Sequence, residues 1–349
     1  MRDLNKQQAR RHDIRQDEDF HGMGEILTER PFLADIMKIR DSKGFRRLTG
    51  KAQVFSMPLN PHVRTRLTHS EEVASAATLI AEHLKKMEIS EQLCQAIALG
   101  HDVGHAPYGH QGESFISKKT NSNFKHEIFS VIVCQQIERS GDGLNLTRGT
   151  LEGILYHSLK GAKFSDHRSE LTEILPEYKI VMYCDKICYT FSDLNDAFKR
   201  GYVKEIDLPN TALKLGKKQR ERMANCTNAL IRESLEKNEI IFQDSEEAQT
   251  FTSLRGWMYD NVYGKNNSDI HYQILNYIYD FFATDPAFEK CDPAVLLALL
   301  TDRETNQLGW IFLENRIPEV CDLANFGIME LLSTVKEAEI DFTDPKLNW

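Results

Sequence analysis

No apolar run in this chain approaches the ~20 residues that a membrane-spanning helix needs, so no span is expected. Residues 1–16 are polar and charged and lack the apolar core of an export signal, and none is expected there. A basic excess is also missing. The net charge is −9, which excludes a global electrostatic footprint for nucleic acid and leaves room only for local basic patches suited to a polyanionic small molecule. The seven cysteines never form a Cys-x-x-Cys pair, and Cys184 and Cys188 lie four apart, an unusual spacing for a zinc knuckle. Reduced, mostly buried thiols of a cytoplasmic protein are therefore expected. Internal repeats and low-complexity segments are absent. Strict alternation of apolar and polar residues is scarce. Only 202–208 and 240–243 read as short strands or extended connectors.

What is present is helical period. In 70–87, Val73, Ala76, Ala77, Leu79, Ile80 and Leu84 recur at helical spacing, and Leu93, Ile97 and Leu99 repeat the pattern in 90–99. Helices are also expected at 126–140, 150–159, 176–200, 209–238, 245–262, 268–283 and 293–300. Glycine and asparagine mark the joints, as at Gly141-Asp142-Gly143 and Asn266-Asn267. The expected class is mainly α. Candidate functional residues concentrate in the N-terminal two-thirds, and a helical C-terminal part is expected to cover them.

Two strings carry the chemistry. Arg66-Leu67-Thr68-His69-Ser70 supplies one histidine; 101–113 opens on His101-Asp102 and adds His105, His110 and Glu113. A divalent metal needs several imidazole nitrogens and carboxylate oxygens at one point. His69 stands at the start of one expected helix, and His101-Asp102 stand at the end of another. The fourth ligand should be a carboxylate on a further helix. Asp185 fits, because it follows the apolar run Ile180-Val181-Met182-Tyr183-Cys184, where an unpaired charge is costly to bury. Two histidines and two carboxylates leave positions open for water and a phosphate oxygen, unlike a closed structural zinc site. Arg66, three residues before His69, can fork onto phosphate oxygens. His110 and Glu113 share a face if their segment is helical, and Asp185, Tyr189 and Asp193 lie four apart on one stripe.

A histidine, a His-Asp pair and a later aspartate in this order resemble the HD-domain phosphohydrolases. The wider pattern is similar to the deoxynucleoside triphosphate triphosphohydrolases, the dGTPase-like group. It comprises Phe45-Arg46-Arg47-Leu48, Lys51, Gln53-Val54-Phe55, the two strings above with Glu72-Val73, Gly143-Leu144-Asn145-Leu146-Thr147, Glu152-Gly153-Ile154, and Asp185, Ile187, Tyr189 and Asp193. Thr301-Asp302-Arg303 is a fainter echo. The resemblance covers roughly 30–200 and implies an HD-domain helical fold. Its implied division is a polar segment at 1–30, an HD core at 31–205 and a helical C-terminal part at 206–349 packing on that core.

The implied activity is metal-dependent hydrolysis of deoxynucleoside triphosphates, dGTP foremost, to deoxynucleoside and triphosphate by water attack at the α-phosphorus. His110 and Glu113 are then the catalytic pair, and His69, His101, Asp102 and Asp185 the metal ligands. Arg66, His105, His126 and Lys186 are expected at the phosphates. Tyr189 would pack on the deoxyribose, with Asp193 and Gln53 at its 3′ hydroxyl. Arg255, Tyr259 and Tyr263 could reach the triphosphate or base, or serve packing. Manganese or magnesium is the expected metal, although the same ligands accept iron, cobalt or nickel. Expected partners are a dNTP, other copies of the chain (a hexamer or a dimer-based assembly), and an allosteric nucleotide or single-stranded nucleic acid. Three positions depart from the family pattern: Lys38 replaces an arginine, Ser192 a histidine and Tyr108 a phenylalanine. The alternatives are an HD phosphohydrolase acting on another nucleotide, and a nucleotide-sensing or single-strand-binding protein using the same pocket.

Overall fold

Several helices begin here where a short side chain takes an orphaned N–H. The computed structural model describes residues 7–10, 29–53, 63–158, 174–263, 269–337 and 340–347. Val54 and Phe55 of the motif, Leu159 and Asn266-Asn267 lie outside them. The α-helices are α1 (Pro31–Asp41), α2 (Lys43–Arg47), α3 (Arg66–His83), α4 (Glu91–Gly100), α5 (His110–Thr120), α6 (His126–Ile132) and α7 (Arg148–Tyr156). They continue as α8 (Pro176–Lys199), α9 (Gln219–Lys237), α10 (Glu246–Asn261), α11 (Asp269–Thr284), α12 (Pro293–Leu299), α13 (Asp302–Leu313) and α14 (Leu332–Glu337). Thr65 caps α3 reciprocally with Thr68, Ser90 caps α4 and Thr147 caps α7, each hydroxyl accepting an amide of the first turn. Pro176 starts α8, where its missing N–H costs nothing.

The fold is mainly α, as expected, and no strand forms among the described residues; only an isolated bridge links Ala52 and Thr65. Segment 202–208 is a turn holding a short 3-10 piece, Glu205–Asp207, and 240–243 lacks a strand partner. Two expected helices are interrupted. The 209–238 stretch splits at Gly216, whose φ of 123° no helix accommodates. There Glu221 turns back to accept the amides of Lys217 and Lys218. The 126–140 stretch leaves α geometry after Ile132, passes through a π turn at Val133–Ile137, and ends where Arg139 and Ser140 become left-handed. Glu138 is drawn there to accept the amides of Lys43 and Gly44, the start of α2.

Helices α3, α4 and α8 pack on one another, with α1 and α7 against α4. Their shared core contains Val73, Ala77, Ile80, Ile97, Ile180 and Phe191, all fully buried. This core brings the first turn of α3, the residues just beyond α4 and the middle of α8 to one place. Helices α11 and α12 cover α5 from the C-terminal third. No helix among the described residues is long and apolar enough to cross a membrane.

Candidate active site

The four residues expected as metal ligands lie in two overlapping groups that share His101. His69 (first turn of α3), His101 and Asp102 (following α4) offer ligand atoms all within 4.8 Å of one another, and so do His101, His157 and Asp185. His69 Nε2 is 2.9 Å from Asp185 Oδ1, and His101 Nε2 is 3.4 Å from Asp102 Oδ1 and 3.7 Å from Asp185 Oδ1. Ligands about 2.1 Å from a common ion lie about 3.0 to 3.4 Å apart; the 3.4 Å pair falls in that range, and the 2.9 Å and 3.7 Å pairs lie within a few tenths of an ångström of it. The orientation of His101 suits a ligating role. Its Nδ1 is committed to the Ala98 carbonyl at 2.7 Å, while its buried Nε2 has no hydrogen-bond partner among the described residues. A ligating histidine is oriented in just this way, with the second nitrogen held by backbone.

Burial alone would raise the carboxylates of Asp102 and Asp185. The charges of His101, Arg66 and His105 hold Asp102 well below the usual range instead. For Asp185 the hydrogen bond from His69 and the charge of His101 do the same. Both are therefore anionic donors. Arg66 is less open than its spacing suggests. Its guanidinium donates to Asp102 at 2.7 Å and to the Gln53 carbonyl at 3.2 Å, leaving a buried Nε unpartnered.

Beyond Asp102 lies a second tier of imidazoles and carboxylates. His110 is the first residue of α5 and is 67% exposed at its side chain, with Nδ1 3.3 Å from Glu113 Oε1. The helix puts both on one face. Yet the same carboxylate oxygen lies closer to His126 (2.8 Å) and His105 (3.1 Å), so Glu113 is shared among three rings rather than dedicated to His110. Burial depresses His126, but Glu127 and Glu113 outweigh it and push the pKa up to about 9. His126 is thus a cation at neutral pH, stacked at 3.7 Å on His105. Burial, then the charges of Arg66 and His126, push His105 down to about 3, so it is neutral.

On the other side, Tyr189 and Asp193 follow Asp185 along α8. Lys186, half-buried, stands between Asp185 and Ile187. Arg255 of α10 donates to the Tyr189 hydroxyl at 2.6 Å, and the Tyr263 hydroxyl donates to Asp193 at 3.0 Å. Burial raises Asp193 to about 7 despite that bond. Gln53 keeps a buried side-chain oxygen with no partner among the described residues.

Sequence reasoning overlooked two of these groups. His157, buried with its ring 4.9 Å from that of His101, is turned by a bond from Nδ1 to the Ile154 carbonyl at 2.7 Å. Burial and the neighbouring His101 lower it to about 4, so a neutral nitrogen faces the cluster. Glu127, adjacent to His126, is lowered to about 2 by His126 and His157 against its burial. The bare pair His126-Glu127 was visible, but nothing in the local pattern brings His157 to His101.

Comparison with known proteins shows the family. The HD domain pattern matches residues 66–190. A deoxyguanosinetriphosphate triphosphohydrolase-like protein of Clostridium tetani is 36% identical over 272 residues, covering 74% of this chain and 76% of that protein. A protein of the same description from Caldanaerobacter subterraneus subsp. tengcongensis is 39% identical over 233 residues, covering 66% of this chain and 65% of that one. A solved phosphohydrolase structure from Bacteroides thetaiotaomicron overlaps 84% of this chain and 72% of its own, at a TM-score of 0.48 and 16% identity.

Proposed function

Because the chain belongs to the deoxyguanosinetriphosphate triphosphohydrolase-like family of HD-domain hydrolases, we propose that it hydrolyses deoxynucleoside triphosphates, dGTP foremost, to deoxynucleoside and triphosphate. The observation that carries the reading is the buried, unpartnered Nε2 of His101 set among His69, Asp102 and Asp185. These four residues would hold a divalent cation, manganese or magnesium, with His157 close by. When bound, that cation supplies Lewis acidity toward a phosphate oxygen and lowers the pKa of water at the site.

The remaining work belongs to the side chains. Arg66 fixes Asp102 and sets a positive charge beside the phosphates. The cationic His126, with His105 and Lys186 near it, adds to a field that suits a polyphosphate. Water attacks the α-phosphorus, the bond from that phosphorus to the 5′ oxygen breaks, and the leaving oxygen takes a proton. His110 is the group to move that proton, because it is accessible and its inner nitrogen rests on Glu113. Gln53 and Asp193 would bind the 3′ hydroxyl, the first with its unsatisfied oxygen. Tyr189, held by Arg255, would pack against the sugar and leave no space for a 2′ hydroxyl.

In this reading residues 31–205 form the HD core and 206–349 its cover. The chain works as a homo-oligomer in the cytoplasm, a setting in which its free cysteines stay reduced. The test is a panel of dNTPs and NTPs with manganese or magnesium and separation of the products. Nucleoside plus triphosphate from dNTPs alone supports the reading. Monophosphate plus pyrophosphate, or equal turnover of NTPs, contradicts it.

A further inference from the structure

Asp302, the first residue of α13, is 1% exposed, and among the described residues its side chain hydrogen-bonds to none of the side chains assigned above. Its carboxylate instead accepts two backbone amides from distant parts of the chain. Oδ1 takes the Tyr108 N–H at 3.1 Å, and Oδ2 takes the Ala52 N–H at 3.1 Å. Each of these amides lies next to a working part of the site. Tyr108 has a φ of +60° and Gly109 one of +58°, and this pair of left-handed residues turns the chain into His110. Ala52 immediately precedes Gln53. A non-glycine residue in that conformation persists only when its surroundings hold it. Helix α13 holds Tyr108 at both ends, because Asn306, one turn beyond Asp302, accepts the Tyr108 hydroxyl at 2.6 Å. Lys51, equally buried, donates its ammonium to the His105 carbonyl, which ties the same loop a second time.

We propose that Asp302 is a positioning residue for the hydrolysis: its rigid carboxylate fixes the loop that presents His110 at a set distance from the segment that presents Gln53. The inference rests on the proposed roles of those two residues at opposite ends of the sugar, the 5′ oxygen and the 3′ hydroxyl. A proton donor and a substrate anchor on separate loops keep a reactive geometry only if something joins the loops. Misplacement by about an ångström costs on the order of a hundredfold in rate. Charge-assisted bonds to buried amides are strong enough to join them.

The experiment compares Asp302→Glu and Asp302→Asn with Glu304→Gln in the full-length protein. Asp302→Glu keeps the carboxyl and moves its oxygens by one methylene. Asp302→Asn keeps the shape and turns a donor toward one amide. Glu304 lies on the same helix and binds Thr301 and Gly327, without touching the 102–110 loop. Both Asp302 variants should lose 10- to 100-fold in kcat, with KM within threefold and bound manganese unchanged. Glu304→Gln should keep kcat within twofold even where its Tm falls. If Asp302→Glu turns over like wild type, or if the kcat of all three variants simply follows Tm, the proposal is wrong. Hydrogen exchange at the Ala52 and Tyr108 amides reads the same tie without turnover. Faster exchange at both in the Asp302 variants but not in Glu304→Gln supports it, and unchanged protection overturns it. Absence of dNTP hydrolysis by the wild type would instead defeat the substrate reading and leave the exchange result to decide this one.

Discussion

In the proposed reading, His110 and Asp102 divide proton transfer from metal binding within one histidine-rich string. Replacing His110 by alanine should leave the bound metal in place and lower kcat by about 10²- to 10⁴-fold, the usual worth of a general acid or base. Asp102→Ala should lose the metal, and elemental analysis beside turnover distinguishes the two. Asp102→Ala also leaves Arg66 buried without its partner at 2.7 Å, so a stability loss of about 3 kcal/mol accompanies it. Asp193 gives a pH signature in the metal-free protein. Burial holds its proton up to about pH 7, whereas the unfolded chain releases it near pH ~3.9. Between those values the folded state binds more protons, so this carboxyl's contribution to stability declines as pH rises and levels off above about 7. Asp193→Asn should therefore gain on wild type between pH 5 and pH 8 by up to a few kcal/mol, read by denaturant melts. An equal difference at both pH values would contradict the assignment. At this scale the sequence was most legible where ligands are neighbours in the chain. His101-Asp102 was plain, while His157, whose relation to His101 exists only in three dimensions, was not.

The joints between elements depend on close backbone approach, and two glycines test that in opposite directions. A β-carbon on Gly104 would lie 2.2 Å from the Ser130 nitrogen and 2.4 Å from the Phe129 carbonyl carbon. Those atoms belong to α6 and cannot swing aside. Gly104→Ala should cost about 3 kcal/mol and weaken metal binding, because the loop it distorts begins at His101-Asp102. Gly256 on α10 has nothing within 4 Å of such a carbon, so Gly256→Ala should stabilise by about 0.5–1 kcal/mol. Thermal melts of both variants check the pair. Most helices were readable from apolar period and hydroxyl caps. The breaks were harder, for physical reasons. Gly216 gave a local signal that was passed over. The departure after Ile132 depends on Glu138 reaching α2, 94 residues away, to cap Gly44, and no local window contains that. Helices α1, α2, α13 and α14 were passed over, although the buried Phe32, Ile36 and Ile39 of α1 stand at helical spacing.

Across the whole molecule, the proposed metal ligands come from three helices, so metal binding should be felt as global stability. At a metal concentration about 100-fold above Kd, the folded state gains about 2.7 kcal/mol, and a chelator should reverse the resulting rise in Tm. Asp102→Ala should show no such rise. The contacts that bind the C-terminal third to the site are the least legible of all, since Asp302 and Tyr108 meet across 194 residues. Solvent-isotope labelling tests the central claim most directly. Turnover of dGTP in H₂¹⁸O with manganese, followed by mass spectrometry of both products, should place one ¹⁸O in the released triphosphate and none in deoxyguanosine, as attack at the α-phosphorus requires. Label in the nucleoside, or in deoxyguanosine monophosphate or pyrophosphate, would contradict it.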